Sequence, residues 1–270
     1  MIVTVLHVFF RSFFLQTLWN FERMQNVGFA FSVEPLLRRA HATKTGFHMA
    51  LRRHLGFFNA HPYLATTVMG VVFNGEKTAG DQEANEKTAQ AMVVLKDSMG
   101  GAFGAIGDHV LWGTWRPFCA VLSMSVGLWV SYPASGQGPM SPSLFHTPAV
   151  ILCAKWWAAG FLGLFNAVHL WLRWRGLQRS MAIGPQVVGW VQSLHLQPWA
   201  SQIRRLGILL MAAMILMYLA RWRSSDMLLW MFAVLLGTMV FKRWTISGWV
   251  IFYSVCAASF VMTKMGVVWP

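Results

Sequence analysis

The stretch Ala149–Leu172 reads AVILCAKWWAAGFLGLFNAVHLWL and carries one formal charge, Lys155. A helix needs about 20 consecutive apolar residues to cross the hydrocarbon core of a bilayer, so this stretch predicts a membrane span. The rest of the chain agrees. Of 270 residues 56% are hydrophobic and 11% charged, mean hydropathy is +0.48, and the chain holds 15 Trp, 20 Phe and 17 Met. A water-soluble surface does not tolerate that composition, which places the chain among membrane proteins of one large or two modest domains.

Four further stretches are apolar enough to consider as spans: Phe118–Tyr132, Leu206–Ala220, Met227–Phe241 and Trp244–Met262. Those near Leu206 and Met227 are short, and are expected either to reach the interface through snorkelling Arg flanks or to form a re-entrant or buried pair. The formal net charge of +13 does not point to nucleic acid, because the basic residues sit at the ends of apolar runs. Arg173, Arg175 and Arg179 follow one run, Arg204 and Arg205 precede the next, Arg221 and Arg223 follow it, and Lys242 with Arg243 separates the last two. That arrangement fits the positive-inside rule and anionic lipid headgroups. Cys119, Cys153 and Cys256 are widely spaced within apolar runs and read as buried free thiols. The nine histidines show no metal spacing, so no metal site and no cofactor is expected. The N-terminal MIVTVLHVFFRSFFLQTLW has no basic residue before its apolar stretch and is not read as a cleaved signal.

Eight of the nine acidic residues lie at or before Asp108, so the first part of the chain must do the polar work. Asn74–Gln90, NGEKTAGDQEANEKTAQ, reads as a solvated loop or helix linking two apolar pieces, and Tyr132–Ser143, YPASGQGPMSPS, as a loop between spans. Period-two alternation is absent. The expected fold is an all-α integral membrane protein with several transmembrane helices plus broken or re-entrant helical segments, divided into 1–122 and 123–270.

Within the first part, Trp19–Phe29, WNFERMQNVGF, sets amides, a carboxylate and a guanidinium into apolar surroundings. At about 100° per residue a continuous helix puts Phe10, Phe14, Thr17, Phe21, Met24 and Gly28 on one face. Ser12, Gln16, Trp19, Glu22, Arg23 and Asn26 then share the other. A charged residue at mid-depth costs on the order of 3 kcal/mol, so the polar stripe should face protein, water or ligand, or serve only to tie two helices together. Arg52–Val72, RRHLGFFNAHPYLATTVMGVV, breaks where Asn59 and His61 precede Pro62. Ser98–Pro117, SMGGAFGAIGDHVLWGTWRP, holds four glycines before Asp108. It lacks the GK[ST] of a nucleotide P-loop, which leaves close helix packing or broken helices that line a site.

Three of these motifs, LQTLWNFERMQNVGFAFSVEPLLRR, RRHLGFFNAHPYL and GAFGAIGDHVLWGTWRP, resemble in order and spacing the IID membrane subunit of the mannose/fructose/sorbose family of the bacterial sugar phosphotransferase system. The resemblance covers roughly residues 10 to 122. It implies a subunit of the bacterial cytoplasmic membrane that pairs with a IIC subunit, as trimers of such pairs, to pass a hexose inward. A cytoplasmic IIB protein, charged by IIA, then phosphorylates the sugar, and the membrane pair carries no phosphohistidine and no catalytic residue of its own. A hexose presents hydroxyls that donate and accept, which calls for carboxylates, amides and an aromatic ring. On that footing Asn20, Glu22, Arg23 and Gln25 are expected to contact sugar at the IIC interface, with Asn59 and Asp108 approaching from the broken segments. Arg23 could equally neutralise Glu22 or Asp108, while Trp112, Trp115 and Arg116 read as packing and anchoring groups. The sequence departs from the family pattern at Gly56, where a Glu is usual, at Ala102 and His109, where Pro is usual, and in a shorter C-terminal half. Those departures motivate the alternative of a non-transporting IID-like scaffold or sensor that binds IIC or IIB.

Overall fold

The computed structural model describes residues 1–79, 86–135 and 148–221. Helix α1 (Ile2–Arg11) runs into a 3-10 turn, Ser12–Phe14, and an irregular segment to Gln25. Helices α2 (Asn26–Ala40) and α3 (Lys44–His54) follow, then a second irregular segment over 55–64 and α4 (Ala65–Ala79). Next, α5 (Glu86–Gly107) continues through a π-helical stretch, Asp108–Trp115, into α6 (Arg116–Ser135). The long α7 (Pro148–Ile183), a 3-10 turn at Gly184–Gln186, α8 (Val187–Ser193) and α9 (Leu196–Arg221) complete the order. Among the described residues the β-type pairings are two isolated bridges, Asn20 to Met24 and Met24 to Phe58. The chain divides into two units, Met1–Leu210 and Met211–Pro270; of the second, the description covers only the end of α9.

The all-helical expectation holds for the described residues, and the break before Pro62 falls where it was read, between α3 and α4. Three expectations are corrected. The helix drawn through Phe10–Gly28 stops at Arg11, giving way to the 3-10 turn Ser12–Phe14, and helix does not resume before Asn26 because Asn20 closes a turn and Met24 adopts a left-handed backbone (φ 55°). Asn side chains compete with helical hydrogen bonds in this way. The glycine run before Asp108 is not a break, for α5, the π stretch and α6 follow without interruption. The solvated linker begins later than Asn74, since Asn74 and Glu76 belong to α4 and Glu76 is buried.

A proline inside α2 shows how the first helices interlock. Pro35 has no N–H to give the carbonyl of Phe31 one turn earlier. Arg11, the last residue of α1, supplies the missing donor: its Nη1 bonds Phe31 O at 3.1 Å and Glu34 Oε2 at 2.6 Å, and its guanidinium lies 4.6 Å from the Phe31 ring centroid. Burial would raise the Glu34 pKa, but the hydrogen bonds from Arg38 and Arg11 outweigh it and hold the carboxyl below its ordinary 4.5. A depressed carboxylate stabilises the fold above its unfolded pKa, so this contribution fades as pH falls below about 4.5. We expect Arg11→Met, which strands the Phe31 carbonyl, to lower stability by about 1–3 kcal/mol. A melt in detergent checks this, and a variant as stable as the parent would contradict it.

Helix α4 lies against α7 through two small residues. A Cβ on Gly70 would meet Ser180 Oγ and sit 2.8 Å from Leu177 O of the α7 backbone, and one on Gly176 would meet the Thr67 hydroxyl, so neither position has room for a side chain. Thr66 Oγ1 donates to Arg173 O (2.8 Å) and Asn74 Nδ2 to Met181 O (3.2 Å), which fixes the register of this crossing. Around it Leu64, Val68, Met69, Val72, Leu172 and Leu177 are buried.

At 1.5 Å per residue α7 is about 54 Å long, more than a bilayer core requires. Its first half exposes Ile151, Trp156, Trp157 and Leu162, and Trp171 is exposed further along. Among the described residues one helical run, Ile151–Met214, is long and apolar enough to cross a membrane, where several were expected. The stretches Met227–Phe241 and Trp244–Met262 lie outside the described residues. Arg173 was read as one of three flanking arginines, yet it is buried and bonds Ser12 Oγ at 2.6 Å. Arg175 and Arg179 are exposed, as a flank should be. Cys119 is buried and Cys153 half-buried, both as free thiols; Cys256 lies outside the described residues.

Candidate functional site

The two irregular segments meet side by side, and the polar residues of the first hold them together. Gln25 N donates to Phe58 O (2.8 Å), and the Gln25 carboxamide pairs with the peptide of Ala60 on both sides. Its Nε2 donates to Ala60 O at 3.0 Å and its Oε1 accepts from Ala60 N at 3.1 Å. Asn26 Nδ2 donates to Leu55 O (2.9 Å), and Asn20 Nδ2 donates to Asn26 Oδ1 (3.0 Å). The Asn20 Oδ1 also accepts from the backbone N of Arg23 at 2.7 Å, closing the turn that Met24 completes. Gln25 and Asn26 are buried, so the bonds they make replace a hydration that the site cannot provide, while the Asn20 turn stays open to solvent.

Behind this seam runs the glycine face of α5. A Cβ on Gly100 would lie 2.9 Å from Asn59 O, and one on Gly107 would lie 2.1 Å from His61 Cγ. Gly100, Gly104 and Gly107 therefore form the groove that receives the segment Phe58–His61, which is the close-packing role small residues play in membranes, while Gly101 faces open space.

Six residues were expected to meet a sugar, and the structure treats them in two ways. Asn20 and Gln25 are tied into the seam. Glu22 and Arg23 project from it as an ion pair at 3.2 Å, with side chains 80% and 52% exposed. Asn59 is exposed on the facing segment, and Asp108 is exposed on the first residue of the π stretch, next to the Gly107 that touches His61. Large apolar side chains stand exposed beside them: Phe21 at 87%, with Trp19, Leu18 and Phe57. These exposed positions supply an acceptor, donors, an amide and aromatic rings.

Sequence reading missed two buried polar clusters. In the first, Glu76 of α4 accepts from His54 Nε2 (2.8 Å) and pairs with His41 Nε2 (3.0 Å), with Arg53 Nη1 at 3.4 Å. The carboxylate thereby joins α4 to the end of α2 and to α3. Its signal was present, because Glu76 stands three and seven residues after the buried Phe73 and Met69, on one face of the helix. The second cluster gathers His61, Tyr63, His169 and Arg173. No group of three or more His, Cys, Asp or Glu suited to a metal ion occurs among the described residues.

Comparison with known proteins bears on what such a face does. The family model of the PTS system mannose/fructose/sorbose family IID component matches residues 3–221. The mannose-specific EIID component of Escherichia coli K12 is 32% identical over 211 residues, which is 77% of this chain and 65% of that protein. The match therefore spans slightly less than two thirds of that relative's length. The sorbose-specific EIID component of Klebsiella pneumoniae is 30% identical over 212 residues, covering 77% of this chain and 67% of that one. The fructose permease IID component of Bacillus subtilis 168 is 27% identical over 213 residues, covering 78% and 68%. In three dimensions the fold is similar to a structure described as a membrane protein, with a TM-score of 0.64 at 23% identity over 100% and 99% of the two chains. It is similar also to a chain of the mannose transporter ManYZ in complex with microcin E492, with a TM-score of 0.51 at 24% identity over 99% and 98%. With a family model matched along most of its length, the chain belongs to the mannose/fructose/sorbose family of PTS IID components, which are membrane proteins.

Proposed function

We propose that this chain is the IID half of a sugar translocator in the bacterial cytoplasmic membrane, crossing it several times. It pairs there with a IIC subunit in a hetero-oligomer, and together they pass a hexose to a cytoplasmic IIB protein, charged by IIA, that phosphorylates it. The observation that carries this reading is the exposed Glu22–Arg23 pair, flanked by Phe21 and Trp19 and held by the Gln25–Ala60 pairing. A charged pair amid exposed aromatic rings gains nothing for the chain alone. It makes sense where a second subunit walls the face and a polyhydroxylated ligand enters between them. Glu22, Arg23, Asn59 and Asp108 supply the polar contacts, and Asn20 and Gln25 hold the backbone that presents them.

A second reading, a non-transporting IID-like scaffold or sensor, draws on Gly56. A side chain at that position would begin 3.9 Å from Lys96 Nζ. The Lys96 ammonium is buried with no hydrogen-bond acceptor and only a 3.6 Å approach to Asp97, so the departure from the family's Glu touches a charge left poorly paired.

One experiment separates the two. The chain is co-expressed with a candidate IIC subunit, purified in detergent, and supplied with IIA, IIB, a phosphate donor and several hexoses. Sugar phosphate is the expected product. A stable complex without product would favour the scaffold, and no complex at all would overturn both readings.

A further inference from the structure

Arg173 lies in the C-terminal third of α7 and is 2% exposed. Its Nη1 bonds Ser12 Oγ at 2.6 Å, and its guanidinium carbon faces the rings of Phe13 at 4.6 Å and Tyr63 at 5.7 Å. Its Nε–H has no acceptor, and among the described residues no carboxylate pairs with it. A buried cation normally keeps a counter-charge, because an unpaired one costs several kcal/mol in a low-dielectric interior.

The neighbours repeat the demand. His61 receives the Tyr63 N–H on Nδ1 at 3.4 Å, which places its own proton on Nε2. That Nε2–H is buried without an acceptor. The imidazole stands 4.8 Å from the Tyr63 ring and 4.7 Å from Trp112. His169 stacks on Tyr63 at 4.3 Å and donates from Nε2 to Asn166 Oδ1 at 2.6 Å, which leaves its Nδ1 a buried lone pair without a donor and adds no negative charge to the cluster. Two buried donors and one uncompensated positive charge thus surround Tyr63.

The surroundings say what sort of anion would answer. Trp112, which touches His61, also lines a groove of about 690 Å3 with Arg116, Pro117, Trp157, Phe161 and Leu162. Trp112, Trp157 and Leu162 are 38%, 46% and 57% exposed. A dissolved anion would shed its hydration against that apolar rim. A carboxylate carried on an apolar helix brings its own cover: the helix lies in the groove, whose lining does not itself include Arg173 or His61, and the side chain reaches them past Trp112, the ring that groove and cluster share. We propose that the cluster of Arg173 and His61 beside Tyr63 receives an acidic side chain from a transmembrane helix of a partner membrane subunit. This rests on the reading that the chain pairs with a second membrane subunit. The pairing sets the register of the two subunits, since removing either partner leaves the other charge buried alone.

The test uses the co-purified complex with the candidate IIC subunit. Arg173→Lys replaces the guanidinium by an amine that an apolar carbodiimide can couple to a nearby carboxylate, whereas the wild-type arginine forms no such amide. The expected product is a branched peptide joining α7 to an acidic transmembrane peptide of the partner. A branch to Asp226 of this chain, or an intact complex with no branch to the partner, overturns the proposal. Arg173→Met covers the case in which the lysine variant does not assemble. The isolated chain should then melt no lower than wild type in detergent, while complex yield falls at least tenfold. A destabilised chain that still captures the partner in proportion to its folded amount would make Arg173 a purely internal cation. A wild-type chain that captures no membrane subunit overturns the functional reading itself.

Discussion

Gln25→Leu is expected to loosen the whole N-terminal seam. The Gln25 carboxamide satisfies both the N–H and the C=O of Ala60 within the buried interior. Leucine has a similar volume but leaves both peptide groups without partners, at about 1–3 kcal/mol each. The combined loss, about 2–6 kcal/mol, is a large part of a typical folding free energy of about 5–15 kcal/mol. The detergent melt should shift by many degrees, and limited proteolysis should open the chain within 55–64. Gln25→Asn distinguishes polarity from reach: it keeps the amide but is one methylene short, and should lose nearly as much. A leucine variant that melts with the parent would mean that Ala60 finds other partners and that the seam does not depend on this residue.

Glu22→Gln should do the reverse, stopping transport while leaving the fold alone. The Glu22 side chain is 80% exposed and its pair with Arg23 is a surface contact, so its removal has little to do with stability. The substitution keeps size and one carbonyl oxygen but removes the charge. Hydrogen bonds to a charged acceptor contribute about 1.5–3 kcal/mol each, so one or two lost to sugar hydroxyls lower uptake about ten- to a thousandfold or more. The measurement is labelled hexose uptake in cells that carry matching IIC and IIAB proteins, with the amount of membrane-inserted chain followed in parallel. Unchanged uptake would remove Glu22 from the translocation path.

Much of the architecture could be read from residue order. Pro62 forced the break it promised, because its ring forbids the helix that α4 resumes at Ala65. The glycines of α5 were readable as small, yet their role depended on a partner 40 residues away: only the approach of Asn59 and His61 shows why Gly100 and Gly107 cannot carry a side chain. The polar stretch was correctly singled out as unusual but wrongly wound. A wheel assumes helical dihedrals, and the left-handed Met24 with the Asn20 turn sends Gln25 inward and Glu22 outward. Arg173 was hidden for another reason. Its position at the end of an apolar run is the same whether it snorkels or turns inward, and the deciding contacts, Ser12 and Tyr63, lie more than a hundred residues earlier.

The π stretch between α5 and α6 has a consequence for insertions and deletions. Wider turns accommodate surplus residues without interrupting the rod, and each residue of an ordinary helix advances the azimuth by about 100°. The π stretch between Asp108 and Trp115 can give up a single position by rewinding as an ordinary helix, whereas excising one from the ordinary turns just after it would swivel everything downstream by roughly that angle. Cys119 and Ser123, now inward, would turn away from α7, where Gly160 lies so close that a Cβ there would be 3.1 Å from Ser123 Oγ. Length in the ordinary turns of this rod is therefore tied to which side of α6 meets its neighbour, and the π stretch is the place where one residue can be lost with the least rotation of that surface.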